Sequence, residues 1–198
     1  VGYVGQQEAA PILLDGLRRL EYRGYDSAGI AVCGDGQLRV KKSRGRLQVL
    51  SDLTHDGADL PGHLGIGHTR WATHGEPNDI NAHPHVSQSG RIAVVHNGII
   101  ENYAELKEQL LHKGYGFRSE TDTEVVAQLL DYYYKGDLLD AVSKVLHRIQ
   151  GAYALGIVCA DEPDKLVAVR KDSPLILGLG QGFTMLASDV TALIRYTR

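Results

Sequence analysis

The sequence is poor in cysteine and contains no long hydrophobic run. Only two cysteines occur among the 198 residues, Cys33 and Cys159, and each stands within an apolar segment. Cysteines in such a setting are typical of small buried side chains, so we expect no disulfide bond and a reducing compartment. No apolar stretch reaches the length that crosses a bilayer, and no signal peptide is recognisable, which favours a cytoplasmic location without a membrane.

An excess of positive charge is also absent. The formal net charge is −3 at pH 7, which argues against a nucleic-acid partner and against an anionic membrane surface. The one basic run, residues 39–46, is interpreted as the solvated part of a strand. With 43% hydrophobic and 23% charged residues, the chain has the composition and length of one globular domain with a substantial core.

Recognisable nucleophile motifs are missing as well. No Ser-His-Asp or Cys-His order stands out, neither cysteine lies in an electropositive loop, and no His-Glu-x-x-His motif occurs. The residues alone therefore predict no nucleophile. The sequence begins at Val1, without Met and inside a strand-like run, and its last residues carry no boundary signal, so we expect a piece of a longer protein.

Short strands alternate with amphipathic helices along the chain. Apolar residues at helical spacing predict helices at 9–20, 47–53, 101–113, 121–134 and 138–149. Apolar runs bounded by turn residues predict strands at 1–4, 29–33, 37–42, 65–69, 91–96, 152–159, 166–170, 175–179 and 183–187. Asp35-Gly36 predicts a hairpin, and Thr121 is the expected N-cap of its helix, with Glu124 completing a capping box. The order predicts sheets covered by helices in an α+β architecture.

Residues 68–77 have the sequence His-Thr-Arg-Trp-Ala-Thr-His-Gly-Glu-Pro and follow a predicted strand. Loops on a rigid scaffold commonly carry functional side chains. Arg70 offers a planar fork of donors that suits a carboxylate or a phosphate, and the single tryptophan, Trp71, stands beside it. One interpretation is a pocket for a small anionic or zwitterionic ligand. The other is a surface loop with an Arg–Trp stack, and the loop alone leaves both open.

Five of the nine histidines fall between positions 68 and 96: His68, His74, His83, His85 and His96. An extended His83-Pro-His85 would place two imidazoles on one face, as metal ligands require. No acidic or cysteine ligand stands at a helical spacing that would complete such a set. Local hydrogen bonding is the simpler interpretation, so no metal site is predicted.

Two further positions have both a structural and a functional interpretation. Asn97-Gly98 is a common tight-turn pair, but a side-chain amide and the next backbone N–H can also form an oxyanion hole. Asp122, in the first turn of a predicted helix, would be stabilised by the helix dipole. It could equally bind a substrate ammonium group, and the sequence leaves both pairs of interpretations open.

Several segments occur in the order in which the class II glutamine amidotransferases carry them: 17–29, 68–77, 81–85, 96–102 and 119–125. Together they cover the chain nearly end to end. The chain therefore resembles the glutaminase domains of that family, and residues 21–29 are similar to its aminosugar branch, the glucosamine-6-phosphate synthases. The resemblance implies the four-layer αββα sandwich of the N-terminal nucleophile (Ntn) hydrolases, without a metal or organic cofactor.

The resemblance also implies where the nucleophile lies. Members of the family carry Cys-Gly-Ile immediately before the residue that matches Val1; this cysteine is the nucleophile, and its own α-amino group is the general base. Cys33 and Cys159 match no catalytic position. Without the N-terminal cysteine the chain would be a glutamine-binding piece that cannot hydrolyse its ligand, which is the alternative function.

The remaining site residues are assigned by the same resemblance. Arg70 would bind the α-carboxylate of L-glutamine and Asp122 its α-ammonium group. Asn97 and Gly98 would form the oxyanion hole. His83 belongs to a matching motif, and the resemblance gives it a supporting place without a defined chemical role.

A closing loop and a support for the nucleophile complete the assignment. Trp71, Thr73 and His74 would belong to the loop that closes over glutamine, and Arg23 and Gly24 would lie near the N-terminal cysteine and order it.

The implied reaction is hydrolysis of glutamine through a cysteine thioester. Ammonia would then react with fructose-6-phosphate in a separate sugar isomerase domain and give glucosamine-6-phosphate. Residues 1–198 would be the glutaminase domain without its first residues and its C-terminal part, and the isomerase domain would lie outside this sequence. For the full-length protein we expect a homo-oligomer.

Overall fold

The computed structural model describes residues 1–71 and 75–197. The helices are α1 Ala9–Arg18, α2 Leu47–Leu53, α3 Tyr103–His112, α4 Thr123–Tyr133 and α5 Leu138–Leu146. The strands are β1 Gly2–Gly5, β2 Ser27–Gly34, β3 Gln37–Arg44, β4 Leu64–Arg70, β5 His85–Val86, β6 Ile92–Ile100, β7 Gly151–Cys159, β8 Leu166–Lys171, β9 Ile176–Gly180 and β10 Phe183–Ala187. Short 3₁₀ turns lie at Glu21–Arg23 and Val190–Ala192.

Two antiparallel sheets face each other at the centre of the fold. One has six strands in the order β3-β2-β4-β1-β10-β9, and the other has four in the order β5-β6-β7-β8. Contacts of β4 with β6 and β7 join the sheets. A thin apolar layer fills the space between them and consists of Ala31, Cys33, Leu64, Ile66, Ala93, Val95 and Val158.

Helices cover the outer face of each sheet. Helix α1 packs on β4, β1 and β2, and α2 packs beside it on β3 and β2. On the other sheet α4 packs on β6, with α3 and α5 against α4. Each helical layer has its own apolar core. The order of layers is therefore α, β, β, α, which confirms the predicted sandwich.

Local sequence explains many of these elements. In α1 the apolar residues Ile12, Leu13 and Leu17 recur at helical spacing and are buried. Strand β2 is buried along almost its whole length because α1 covers one face and the second sheet the other. The β2–β3 hairpin turns at Asp35 and Gly36 with positive φ angles of 53° and 71°, as a two-residue type I′ turn requires.

Both cysteines are free and buried, as predicted. Burial raises the pKa of the Cys33 thiol to about 12, and it also raises the pKa of the Cys159 thiol. Neither thiol is therefore suited to attack an electrophile at neutral pH. Across the described ranges, no helix combines the length and apolar character that a membrane crossing requires.

Several local predictions were wrong at their boundaries. The strand expected to end at residue 96 continues to Ile100, so Asn97 and Gly98 lie within β6 and pair with Ala154 and Tyr153 of β7. The tight-turn interpretation of this pair is therefore wrong. The short strand β5 was missed because two residues carry no periodic signal.

The predicted cap of α4 was also wrong. Asp122, not Thr121, is the N-cap residue, and its side chain makes no cap hydrogen bond. The Glu124 carboxylate accepts hydrogen bonds from the backbone N–H groups of Arg118 and Ser119, at 2.6–3.1 Å, instead of closing a capping box. Tertiary contacts therefore override the local capping pattern here.

The inter-sheet layer makes a direct prediction about stability. Ile66 is fully buried between the sheets. We expect Ile66→Ala to lower the free energy of unfolding by about 2–5 kcal/mol, because it leaves a cavity that packed strands cannot close. Urea unfolding followed by far-UV circular dichroism measures the change.

Leu139→Ala is the matched control, because Leu139 is 57% exposed on α5. We expect its effect to stay within about 0.5 kcal/mol. Equal effects of the two substitutions would contradict the assignment of Ile66 to a close-packed layer.

Candidate functional site

A cleft of about 280 Å³ opens where the ends of β4 and β6 meet the start of α4. It is lined by Arg23, Gly24, His68, Thr69, Arg70, Trp71, His83, His96, Asn97, Gly98, Thr121, Asp122 and Thr123. Eight of the predicted site residues are among them. Thr73 and His74, predicted for the closing loop, lie outside the described residues.

Arg70 is the last residue of β4 and is only 4% exposed. One of its guanidinium N–H groups, at Nη1, donates to the backbone carbonyl of Glu76 at 3.5 Å. Burial lowers the pKa of the guanidinium, and the carboxylates of Asp26, Asp122 and Glu120 act in the opposite direction. An arginine keeps its charge under these conditions. The surface-loop interpretation is therefore wrong for Arg70, which brings a buried positive charge to the cleft.

Asp122 brings a negative charge to the same cleft and is 4% exposed. Its Oδ2 accepts a hydrogen bond from the backbone N–H of Ile100 at 2.8 Å, which ties the start of α4 to the end of β6. The N-terminus of a helix favours a negative charge at this position. The cleft thus contains buried groups of both signs, which suits a zwitterionic ligand.

Asn97 and Gly98 lie in β6 with their backbone paired to β7. The Asn97 Oδ1 is 2.7 Å from His68 Nε2. Gly98 has a φ of 122°, and a Cβ placed there would lie 2.1 Å from the carbonyl oxygen of Ala152. Only glycine fits this backbone, because any side chain would collide with strand β7.

Buried imidazoles form the floor of the cleft. The ring of His68 stacks on that of His83 with centroids 4.3 Å apart, and His83 meets His85 edge-on at 4.8 Å. His85 Nε2 is 2.8 Å from Thr121 Oγ1, and His96 Nδ1 is 2.9 Å from Thr123 Oγ1. These contacts connect the floor with the start of α4.

Burial keeps three of these histidines neutral. It lowers the pKa of His68 to about 3 and lowers the pKa values of His83 and His85 well below 6.5. Within residues 1–71 and 75–197, no three His, Cys, Asp or Glu side chains are grouped so that they could hold a metal ion. The absence of a metal and of a cofactor stays a prediction.

Trp71 and the turn at residues 23–24 form the rim. Trp71 is 69% exposed. Gly24 has a φ of 76°, and a Cβ placed there would lie 3.5 Å from the Trp71 ring. The Arg23 guanidinium donates to Ser188 Oγ at 3.1 Å. The indole therefore lies beside the 23–24 turn at the mouth of the cleft.

Two comparisons of the sequence identify its relatives. The profile of the family described as "Glutamine amidotransferase domain" matches residues 68–195. The chain belongs to this family. The amidotransferase domain is also 62% identical over its whole length to the glutamine–fructose-6-phosphate aminotransferase [isomerizing] of Caldanaerobacter subterraneus, and 58% identical to that of Thermus thermophilus. In each case it covers 32% of the relative, so the chain spans about a third of the curated relatives it matches.

A solved structure is similar in its fold. The glutamine phosphoribosylpyrophosphate amidotransferase from B. subtilis, complexed with ADP and GMP, superposes with a TM-score of 0.84 at 30% identity. The superposition covers 98% of the amidotransferase domain and 42% of that chain. The expected Ntn-hydrolase type of fold is thereby confirmed.

Sequence reasoning missed part of this amidotransferase site. The place of His68 beside Asn97 was not predicted, and neither was the contact of His96 with Thr123. One signal was available for His68. Strand alternation places Ile66, His68 and Arg70 on one face once β4 is extended to residue 70.

The buried histidines predict a pH dependence of stability. Their folded pKa values lie below the ordinary 6.5, so this contribution is complete above about pH 6.5 and is lost as the pH falls toward about 3 for His68. Each such group increases the slope of the free energy of unfolding against pH by up to about 1.4 kcal/mol per pH unit. We expect His83→Phe, which keeps an aromatic ring, to reduce the slope between pH 5 and 6.5 by up to that amount in urea unfolding.

His112→Phe is the control, because His112 lies on the exposed face of α3. It should leave the slope unchanged. An unchanged slope in His83→Phe would show that His83 does not remain neutral in the folded protein.

Proposed function

We propose that this domain hydrolyses L-glutamine and supplies ammonia for the conversion of fructose-6-phosphate to glucosamine-6-phosphate. The observation that carries the proposal is one cleft in which two buried, oppositely charged side chains, Arg70 and Asp122, accompany Asn97 and Gly98. The use of ammonia for the conversion of fructose-6-phosphate is proposed from the names of the relatives, which are glutamine–fructose-6-phosphate aminotransferases.

The charged pair is assigned to the amino-acid end of glutamine. The Arg70 guanidinium would donate two hydrogen bonds to the α-carboxylate, as its planar fork allows. The Asp122 carboxylate, fixed by the backbone N–H of Ile100, would accept from the α-ammonium group. A simple anion would satisfy only one of these charges, and a neutral amide would satisfy neither. This arrangement supports a free amino acid as the substrate.

The opposite end of glutamine is assigned to β6. The Asn97 side-chain N–H and the Gly98 backbone N–H would donate to the oxygen of the side-chain amide as it becomes an oxyanion. Gly98 itself is held by close packing against β7, because no Cβ could be accommodated beside the Ala152 carbonyl. Trp71 would belong to the loop that closes over the bound glutamine. Thr73 and His74, which lie outside the described residues, would belong to the same loop.

The register of β1 supports a nucleophile that precedes Val1. Val1 and Gly67 exchange two backbone hydrogen bonds, at 3.0 and 2.7 Å, and Gly2 pairs with Ile66. If this antiparallel register continues, the third residue before Val1 lies opposite Arg70. Strand alternation would place its side chain on the face shared by Gly2, Ile66 and Arg70, toward the cleft. This is the position at which the resemblance expects cysteine, with Arg23 and Gly24 nearby.

The proposed reaction has two steps. The cysteine thiolate attacks the side-chain carbonyl carbon of glutamine, and its α-amino group carries the thiol proton to the leaving nitrogen, so that ammonia departs and a thioester remains. Water then attacks the thioester, which gives glutamate and restores the thiol. His83 touches neither reacting group in this scheme and supports the floor of the cleft.

Ammonia would be used outside residues 1–198. We propose that a sugar isomerase domain receives it, because the chain matches about a third of relatives with that combined activity. The full-length protein is expected to be a cytoplasmic homo-oligomer without a nucleic-acid or membrane partner.

Affinity labelling tests the nucleophile. The full-length protein is treated with a glutamine-analogue diazoketone and analysed by intact and peptide mass spectrometry. We expect one adduct on a cysteine that precedes Val1. An unlabelled protein whose N-terminus is Val1 would support the alternative, a glutamine-binding piece without a nucleophile. An adduct on Cys33 or Cys159 would contradict the proposed nucleophile.

A second test addresses glutamine recognition. Arg70→Ala removes the partner of the α-carboxylate and also leaves acidic neighbours uncompensated, so we expect glutamine binding to weaken by about 2–5 kcal/mol. Isothermal titration calorimetry measures the affinity. Arg195→Ala is the matched control, because the Arg195 side chain is 62% exposed and lies at the surface ion pair with Asp15. Equal affinities in the two variants would reject the role of Arg70.

A further inference from the structure

We infer that His68 is a positioning residue: as the neutral Nε2–H tautomer, it turns the Asn97 amide so that the NH₂ group faces the reacting amide of glutamine. The inference rests on the proposed function and assigns a role that the family resemblance did not give to His68. The two sheets are in contact here, where His68 of β4 meets Asn97 of β6.

The contact has a defined polarity. His68 Nε2 lies 2.7 Å from the Asn97 Oδ1, a length typical of a good hydrogen bond. The amide oxygen only accepts, so the proton of this bond must be carried by Nε2. With Oδ1 engaged by His68, the Nδ2 group of the same amide points to its other side, and Asn97 lines the cleft.

The other ring nitrogen favours the same tautomer. Among the described residues, buried His68 Nδ1 has no hydrogen-bond partner of good geometry, although the His96 backbone carbonyl interacts with the ring and raises its pKa. A buried N–H without a partner costs more than a buried lone pair without one, and native structures contain few such N–H groups. The single proton of a neutral imidazole therefore belongs on Nε2. Burial, which lowers the pKa of His68 to about 3, keeps a second proton off the ring at working pH.

If the imidazole proton were on Nδ1 instead, the orientation of the Asn97 side-chain amide would be reversed. An unprotonated Nε2 would accept from Asn97 Nδ2, and Oδ1 would then face the substrate. An acceptor would stand where the negative charge of the tetrahedral intermediate develops. Loss of one preorganised oxyanion donor typically costs about 10²–10³-fold in kcat.

The ring of His68 is held in place from behind. It stacks on His83 at 4.3 Å with an interplanar angle of 18°, and His83 in turn meets His85. His85 is hydrogen-bonded to Thr121 at 2.8 Å. This stack gives His83 a physical role, since it fixes the plane of the imidazole that orients Asn97.

A double-mutant cycle on the full-length protein tests the inference. We expect His68→Leu to lower kcat about 10–10²-fold with KM for glutamine changed by less than about two-fold, because oxyanion stabilisation acts in the transition state. Asn97→Ala should lower kcat about 10²–10³-fold. The double variant should be no slower than Asn97→Ala alone, since His68 acts only through that amide. His68→Gln, whose amide can donate, should recover part of the activity.

His112→Leu, a surface histidine of α3, is the control and should keep the parental kcat and KM. Multiplicative losses in the double variant, or a loss confined to KM, would overturn the inference. If Asn97→Ala lowers kcat while His68→Leu does not, the proposed oxyanion hole is supported and only the role of His68 is rejected. If Asn97→Ala has no effect, the proposed oxyanion hole fails, and the role of His68 fails with it.

A spectroscopic measurement keeps the inference testable even where His68→Leu does not fold. The ¹⁵N shifts of labelled histidine distinguish the two neutral tautomers. We expect the His68 resonances to show a protonated Nε2 and an unprotonated Nδ1 that do not change between pH 6 and 8. A protonated Nδ1, or a titration in that range, would overturn the inference.

Discussion

The packing of β4 against β6 is the contact on which both the fold and the site depend. Near the middle of the sandwich the facing side chains are apolar, as Ile66 and Val95 are. Further along the same strands, His68 and Asn97 face each other and form a hydrogen bond. The dry layer fixes the spacing of the sheets, and that spacing allows a direct hydrogen bond at their open end. A small change in the packing of the two sheets would therefore change the length of the hydrogen bond between His68 and Asn97.

The two buried charges of the cleft suit a small ligand that carries one charge of each sign. Arg70 and Asp122 are both 4% exposed, which costs solvation free energy. The fold offsets part of this cost through backbone contacts, the Glu76 carbonyl for one and the Ile100 N–H for the other. A ligand with one carboxylate and one ammonium group would add the remaining interactions. In the proposed function, selectivity for a free amino acid would follow from two buried charges that no singly charged ligand satisfies together.

Local patterns predicted most elements but not the polar contacts of the site. Helix 47–53 and the Asp35-Gly36 hairpin agree with the structure because their signals are local. Asn97-Gly98 has the local signal of a turn, yet pairing with β7 keeps it in a strand. Likewise Thr121 has the signal of a cap, but its hydroxyl contacts His85, far away in the sequence. Such outcomes depend on tertiary neighbours, which a local pattern does not contain.

Neutral histidines suit this cleft for an electrostatic reason. An imidazolium at position 68 would lie near the positive charges of Arg70 and Arg23 and would repel them. A neutral ring still donates one hydrogen bond to Asn97, so it orients the Asn97 amide without adding a charge to the cleft. The same burial that stabilises the sandwich thus leaves Arg70 and Asp122 to define the charge pattern of the cleft.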